Sequence, residues 1–231
     1  MIKATLIDSM GSDLSVVNAA RVSFGKKSWW VEGHKEGHPS IVPVLAPKDE
    51  KLINYLAKHE HYSPFGHCFA SFHIKAPIFV ARQLVKHEYL RMNEISRRYV
   101  DSEPEFYVPD VWRGRAKDKK QGSDGVVEVG YDFPWVEYGS WGNYKQYLET
   151  CEAGYKSLLE KGVAPEMARM VLPQSMYTEW YWSGSLDAFA NMCNLRLKED
   201  TQYETRLVAQ QIDNVMGELY PVSWKALVHN D

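Results

Sequence analysis

The feature that most constrains this chain is an abrupt change from apolar to charged residues. Ala76–Ala81 is almost wholly apolar, whereas the following segment, Gln83–Tyr99, carries seven charged or imidazole side chains. Proline is favoured in the first turn of a helix, and Pro77 stands where such a helix would begin. The pattern predicts a helix that opens at Pro77, with its apolar start in a core and its charged end at a polar cleft.

The charged segment has the side chains of an anion-binding site. Arg91, Arg97 and Arg98 supply fixed positive charge and planar donor forks that suit phosphate. Glu94 and Ser96 are suited to orienting a sugar or a base. On these residues alone, the segment is equally compatible with a solvated, salt-bridged helix end.

The composition is that of a soluble globular protein. The 231 residues are 45% hydrophobic and 25% charged, which predicts one domain over residues 1–231 with a sizeable core. The net charge of −3 argues against a dedicated nucleic-acid surface, so the arginines are a local feature. We see neither a long apolar run nor a signal-peptide pattern, and we therefore expect a cytoplasmic protein without a membrane partner.

Local patterns predict an α+β fold with a modest sheet and a helical carboxy-terminal half. Alternating residues predict strands at about 2–8 and 68–74, and an extended segment at 97–108. Helices are predicted at about 14–21, 47–58, 141–161, 165–182, 185–196 and 201–219. Residues 25–47 are predicted to form a loop, and residues around 113–130, rich in Lys, Asp and Gly, a polar surface excursion.

Four closely spaced histidines raise the possibility of a metal site. His59, His61, His67 and His73 lie within one short stretch. They span an apparent loop and strand, and no acidic or cysteine partner completes an obvious ligand set. We therefore expect no metal.

The cysteines do not indicate a disulfide framework. Cys68, Cys151 and Cys193 are odd in number and widely spaced, as reduced and mostly buried thiols are. None has the cationic or helix-start surroundings that convincingly lower a thiol pKa, although His67 precedes Cys68. We expect chemistry without a cysteine nucleophile.

The charged segment also contains a spaced motif. Lys86-His87-Glu88 is followed after seven residues by Ser96, and Asn93–Tyr99 reads Asn-Glu-Ile-Ser-Arg-Arg-Tyr. This motif resembles the signature of the flavin-dependent thymidylate synthases, which is Arg-His-Arg, seven residues and Ser, usually continued as Asn-Glu-x-Ser-x-Arg-Tyr. Lys86 and Glu88 depart from the two signature arginines.

Other segments resemble the same family in the same order, and the similarity runs from about residue 19 to about residue 210. These segments are Ala20–Phe24, His61–His67, Phe72–Gln83, Ala168–Pro173 and Asn191–Arg196.

The resemblance implies a fold, a reaction and an assembly. The fold would be a modest antiparallel sheet packed with helices. The reaction would transfer a one-carbon unit from methylenetetrahydrofolate to C5 of dUMP, with FAD as cofactor and NADPH as reductant, and would yield dTMP. Members of the family are homotetramers with active sites at subunit interfaces, so the same assembly is expected here.

The resemblance also implies residue roles. The catalytic residues would be Arg196, Ser96 and His61. The residues that hold dUMP would be Gln83, Lys86, Glu94, Ser96, Arg97, Arg98, Arg169 and Arg196. The residues that hold FAD would be Ser63, Lys86, His87, Glu88, Glu94, Ser185, Asp187 and Asn191.

The departures from the signature leave two alternatives. One is a related flavin enzyme that acts at C5 of another pyrimidine nucleotide or transfers another one-carbon group. The other is a nucleotide-binding homologue without flavin chemistry, because Lys86 and Glu88 lower the positive charge near the flavin. We expect weaker FAD binding, with Arg91, three residues after Glu88 on the predicted helix, as the neutralising partner.

Overall fold

A computed structural model describes residues 1–34, 40–117, 122–134 and 141–229 of the chain. Its strands are β1 (Lys3–Met10), β2 (Val31–His34), β3 (Ile41–Val44), β4 (Phe69–Pro77), β5 (Arg91–Glu94), β6 (Trp112–Arg115), β7 (Ser123–Val127), β8 (Phe133–Pro134), β9 (Trp141–Gly142) and β10 (Tyr177–Ser185). Its α-helices are α1 (Asp13–Arg21), α2 (Pro47–Lys58), α3 (Ile78–Leu84), α4 (Tyr144–Glu160), α5 (Pro165–Ala168), α6 (Leu186–Arg196), α7 (Tyr203–Leu219) and α8 (Pro221–Val228).

The centre of the fold is a four-stranded antiparallel sheet. Its strand order is β1-β4-β10-β5. Successive side chains of a strand point to opposite faces, and β4 and β10 alternate accordingly between buried and partly exposed residues. Phe72 lies opposite Trp182 and Ile74 lies opposite Trp180, so large apolar side chains from both strands share the inner face.

Helices cover this inner face and form one hydrophobic core with it. The ring of Phe189 on α6 lies 5.3 Å from that of Phe72 and 5.6 Å from that of Trp182, both in edge-to-face geometry. Helix α7 buries Val208, Ile212 and Met216, at its period of three to four residues, in the same core.

Two contacts fix the amino-terminal ends of α6 and α8. The backbone N–H of Leu186 donates to the carbonyl of Cys68 at 2.9 Å, which ties the start of α6 to the start of β4. The buried carboxylate of Asp13 accepts hydrogen bonds from the N–H groups of Val222 and Ser223, at 3.0 and 2.8 Å, and so satisfies the amino-terminal end of α8.

The predicted fold class is confirmed. The chain is α+β, the sheet is modest and antiparallel, and the residues after 143 are largely helical. Strands β1 and β4 and helices α1, α2, α4, α6 and α7 lie within a few residues of their predicted bounds. One domain over residues 1–231 stays a prediction.

The helix predicted at 165–182 is wrong. Helix α5 and a 3-10 turn, Arg169–Val171, end before Pro173, and β10 begins at Tyr177. From Tyr177 onward buried and partly exposed residues mostly alternate, with Trp180 and Trp182 on the inner face, which is the period of a strand. The aromatic residues of β10 are as apolar as the helical segment before them, and only their alternation distinguishes the strand from a continued helix.

The helix predicted to begin at Pro77 is present as α3, with a buried apolar start, but its predicted continuation into the charged segment is wrong. Helix α3 ends at Leu84, the residues that follow form turns, and Arg91–Glu94 forms β5 at the edge of the sheet. Pairing of β5 with β10 replaces helical hydrogen bonds at this position. Gly184 of β10 lies beside Leu90, and a Cβ at position 184 would force the end of the Leu90 side chain to shift.

Three smaller predictions need correction. The predicted loop at 25–47 contains the hairpin of β2 and β3, and the predicted excursion at 113–130 contains the hairpin of β6 and β7, although residues 118–121 lie outside the described residues. The segment 97–108 contributes no strand and only an isolated bridge from Phe106 to Met176.

Within the described part of the chain, no helix is both long and apolar enough to span a membrane.

Candidate functional site

Arg196, the last residue of α6, is held by two acceptors from the end of α3 and the turn that follows. Its Nε donates to Nε2 of His87 at 2.8 Å, and its Nη2 donates to the backbone carbonyl of Gln83 at 3.1 Å. The guanidinium group is therefore oriented by a ring nitrogen and a carbonyl, and neither of these acceptors carries a negative charge.

The electrostatics of this contact leave the positive charge of Arg196 available to a ligand. Burial, with the positive charge of Arg196 as a smaller cause, lowers the pKa of His87 to about 4. The imidazole is thus neutral near pH 7, and its Nε2 accepts while Nδ1 carries the proton. Among the described residues, Arg196 has no carboxylate within ion-pair distance, and burial alone lowers the pKa of Arg196.

A cavity of about 670 Å³ opens beside this arginine. Its wall includes Arg82, Gln83, Lys86, Arg196, Asp200 and Gln202. The Gln83 side chain is held by Gln202 at 2.5 Å and by Thr205 at 3.2 Å. The size and the excess of cationic side chains suit a small anionic ligand such as a nucleotide.

A second group of predicted residues meets at Glu166. The Glu166 carboxylate accepts a hydrogen bond from Nε of Arg98, and the Glu166 backbone carbonyl accepts one from Nε of Arg169, both at 3.3 Å. The hydroxyl of Ser96 accepts a hydrogen bond from the Arg98 backbone N–H at 3.3 Å. Arg98 and Arg169 are exposed, so this group forms a basic patch on the surface.

The structure does not bring these two groups together within one chain. No hydrogen bond, ion pair or cavity wall of the described ranges joins Arg196 to Arg98 or Arg169. Arg97 joins neither group through a hydrogen bond in the described ranges, and its guanidinium donates to the backbone carbonyl of Ser102. Glu94 also lies elsewhere, where it accepts a hydrogen bond from the Thr178 hydroxyl at 2.6 Å.

Three residues predicted to hold the flavin lie at the amino-terminal part of α6. Ser185 immediately precedes the helix, and Asp187 and Asn191 lie one turn apart on it. Oδ1 of Asp187 is buried and finds no hydrogen-bond partner in the described portion of the structure. A buried carboxylate oxygen without a donor marks a position where a ligand N–H or O–H would fit.

Another residue predicted to hold the flavin, Ser63, lines a second cavity together with His61. This cavity has a volume of about 830 Å³. Lys26, Lys48 and Lys51 also line it, and none of the three has an ion-pair partner among the residues described. These lysines were not predicted to be site residues, although Lys48 and Lys51 lie near the start of α2, the helix that precedes His61.

The nearby acid does not neutralise the lysines of this cavity because it serves another partner. Asp49 is fully buried, and its Oδ1 accepts from Nη2 of Arg21 at 2.5 Å and from the Ser28 hydroxyl at 3.0 Å. A buried carboxylate with a guanidinium partner is a structural ion pair that fixes α1 against α2. The cavity wall therefore keeps a net positive charge that suits a phosphate or carboxylate.

The expected compensation of Glu88 by Arg91 is wrong. Both residues lie outside a helix, so the spacing of three residues does not place their side chains on one face. Arg91 lies on β5 opposite Ser183, and Glu88 is exposed without an ion-pair partner in the ranges described. The charge of Glu88 is thus open to solvent and to any ligand nearby.

Two of the three thiols, those of Cys68 and Cys193, are poor nucleophile candidates. Cys68 and Cys193 are buried, and burial raises the pKa of Cys68 to about 11 and that of Cys193 well above its ordinary value. Cys151 is partly buried on α4. The described residues also contain no group of three or more His, Cys, Asp or Glu side chains arranged to hold a metal ion.

Together the fold and these cavities define an α+β protein with basic sites for anionic ligands, and comparison with known proteins identifies its family. Residues 5–222 match the model of the thymidylate synthase complementing protein family. The chain belongs to this family, and the resemblance seen in its motifs is confirmed.

Two relatives are similar in sequence to almost the whole chain. The flavin-dependent thymidylate synthase of Thermus thermophilus is 40% identical over 221 residues, covering 96% of this chain and 73% of that protein. The flavin-dependent thymidylate synthase of Kosmotoga olearia is 38% identical over 224 residues, covering 97% and 89%.

A solved structure has the same fold. The UMP/dUMP methylase PolB from Streptomyces cacaoi, bound with 5-Br dUMP, matches with a TM-score of 0.72 and 30% identity, covering 98% of this chain and 94% of that one. The same methylase bound with 5-Br UMP matches with a TM-score of 0.73 and 29% identity.

Proposed function

We propose that this protein synthesises dTMP from dUMP. A one-carbon unit from methylenetetrahydrofolate is transferred to C5 of the uracil, with FAD as cofactor and NADPH as reductant. The observation that carries this proposal is the Arg196 site: an oriented guanidinium without a carboxylate partner in the described ranges, at the wall of a 670 Å³ basic cavity. The thymidylate synthases named among the relatives support the assignment.

Arg196 would hold the uracil, and the exposed arginines would hold the phosphate. A guanidinium beside the ring stabilises negative charge as it develops, and so favours the electron-rich form of uracil that reacts at C5. The forks of Arg98 and Arg169 suit the three terminal oxygens of a phosphate, with the Ser96 hydroxyl beside them. Gln83 and Lys86 would contact the same nucleotide from the Arg196 cavity.

The flavin would bind along α6 and the cavity that contains His61. On α6, the buried Oδ1 of Asp187 lacks a hydrogen-bond donor that the flavin would supply. Asn191 lies one turn further along the helix toward Arg196. Lys48 and Lys51 suit the negatively charged part of a dinucleotide. The flavin supplies the redox chemistry when bound, while the protein orients the rings and excludes water.

The complete site would form between chains of a homotetramer. The Arg196 group and the Arg98 and Arg169 group share no contact within the described part of one chain. An isologous or heterologous contact between copies can place the basic patch of one chain over the cavity of another. An interfacial site therefore explains why residues with one expected ligand lie in two places.

The test is anaerobic incubation of the purified protein with FAD, NADPH, methylenetetrahydrofolate and dUMP, followed by mass analysis of the nucleotide. We expect dTMP, and we expect none when FAD or the folate is omitted. Arg196→Ala, purified in parallel, controls for contaminating thymidylate synthase. A colourless protein that binds no flavin and yields no dTMP would contradict the proposal.

A second candidate substrate is UMP. The solved structures of the methylase with the same fold hold 5-Br dUMP in one case and 5-Br UMP in the other. The chemistry at C5 is the same for both nucleotides, so discrimination depends on contacts to the ribose. Parallel reactions with dUMP, UMP and dCMP decide between the substrates by the ratio of their kcat/KM values.

A further inference from the structure

The contact between His87 and Arg196 assigns a role to the histidine of the charged segment. The resemblance assigns His87 to the flavin, and the structure adds a contact of its Nε2 with Nε of Arg196 at 2.8 Å. We propose that His87 is a positioning residue that aims the Arg196 guanidinium at the pyrimidine while leaving its charge unneutralised. This inference rests on the proposed function of the Arg196 cavity.

The chemistry of the two acceptors explains why a histidine suits this position. A carboxylate at the same distance would orient the fork equally well, but it would also neutralise the charge that a nucleotide needs. A backbone carbonyl, that of Gln83, and a neutral imidazole orient the fork without cancelling its charge. The half-buried setting of His87 keeps its pKa low, which preserves the neutral acceptor near pH 7.

The direction of the hydrogen bond fixes the form of the histidine. The Nε–H of an arginine only donates, so Nε2 of His87 must accept and its proton must reside on Nδ1. The remaining N–H groups of Arg196 have no partner among the described residues other than the Gln83 carbonyl. They are therefore free to contact a ligand in the cavity.

Three substitutions at one position separate the possible roles. His87→Gln keeps a neutral acceptor near the position of Nε2, His87→Leu removes the acceptor, and His87→Glu keeps an acceptor but adds a negative charge. His229→Leu serves as a matched control, because His229 is exposed near the carboxy terminus and lines neither basic cavity. For each protein, the dissociation constant of dUMP, the flavin content and the kcat and KM values are measured.

We expect His87→Gln to bind dUMP within about threefold of the wild type. Loss of the acceptor in His87→Leu should weaken dUMP binding about tenfold, the usual effect of losing one such hydrogen bond. His87→Glu should weaken it further, about a hundredfold, because the charge of Arg196 is then neutralised. Flavin content should stay close to that of the wild type in His87→Gln.

Two results would overturn the positioning role. Equal dUMP affinity in His87→Gln, His87→Leu and His87→Glu would show that the histidine only fills space. Loss of flavin in His87→Gln with unchanged dUMP affinity would show that the ring contacts the flavin instead. In both cases dTMP formation by the wild type would remain, so the proposed function would stand.

The contact can also be tested without any nucleotide. Nitrogen-15 NMR of the ligand-free protein should show the Nδ1-protonated form of His87, and Arg196→Leu should abolish that preference. Protonation at Nε2 in the wild type would overturn the inference, whichever substrate the enzyme uses.

Discussion

Activity should be partly restored when two impaired variants are assembled in one oligomer. Arg196→Ala damages the cavity group, and Arg169→Ala damages the patch that also contains Arg98. Each change removes a charge-assisted contact worth about 1.5–3 kcal/mol, which corresponds to a loss of about 10- to 150-fold in kcat/KM for dUMP. Both side chains are at least partly exposed, so we expect folding and flavin content to change little.

The expected activity of the mixed oligomers follows from the proposal that each site is formed by two chains. If each site takes the cavity of one chain and the patch of another, random assembly gives intact halves in about one quarter of the sites. The two variants are co-expressed with different tags, and mixed oligomers are purified through both tags. Formation of dTMP should then reach about one quarter of the wild-type rate, well above that of either variant alone.

A matched pair of variants tests the explanation. Arg98→Ala and Arg169→Ala damage the same group, so their mixed oligomers contain no intact patch and should show no recovery. The same low activity in both kinds of mixed oligomer would refute the division into two chains. Recovery in both kinds would show that the loss had another cause.

Three further outcomes are expected. Replacing Cys68, Cys151 and Cys193 together with Ser or Ala should leave dTMP formation measurable, and a folded variant without turnover would indicate a thiolate nucleophile. Because the pKa of His87 is about 4 in the folded protein and about 6.5 unfolded, its contribution to stability is present above pH 6.5 and is lost as the pH falls toward 4. After solvent screening this is about 1 kcal/mol, and urea unfolding should show a steeper loss between pH 7 and pH 5 in the wild type than in His87→Gln. Glu88→Arg should tighten FAD severalfold in a fluorescence titration, and an unchanged dissociation constant would mean that position 88 does not face the flavin.

The parts of the fold that were predictable are those with one strong local signal. Helices α4 and α7 are long and carry an apolar stripe of helical period, and α2 begins with proline and acidic residues in its first turn. Such signals act within one element, so the sequence shows them without knowledge of the tertiary structure. The spaced motif from Lys86 to Ser96 likewise carried the family resemblance regardless of its conformation.

The errors concern segments whose conformation is decided by a distant strand. Arg91–Glu94 is charged and has no marked period, and it forms a strand because it pairs with the edge of β10. β10 itself follows an apolar helical segment, and its alternation begins only at Tyr177. Both assignments depend on pairing between residues about ninety positions apart, which local patterns do not contain.

The site could be predicted as a set of residues but not as an arrangement. The motifs indicated Arg98, Arg169 and Arg196 for one ligand, yet nothing local to them shows that they lie in two groups. Lys48 and Lys51, which line the cavity that contains His61, were not predicted for a different reason. Lys48 and Lys51 resemble ordinary solvated residues at the start of a helix, and they gain significance only through the neighbouring loop of His61.

The position of Arg196 at the end of α6 explains how an arginine without a carboxylate partner can be stable. The carboxy-terminal end of a helix carries a partial negative charge, which stabilises a cation in the last turn. With its charge stabilised in this way, the Arg196 guanidinium requires acceptors that orient it rather than a carboxylate that neutralises it. His87 and the Gln83 carbonyl are these acceptors. A lysine would keep the charge, but it lacks the planar fork that contacts two fixed acceptors and a ligand at once. Since α6 also carries Asp187 about 13 Å away along its axis, one rigid helix sets the spacing between the proposed flavin and nucleotide contacts.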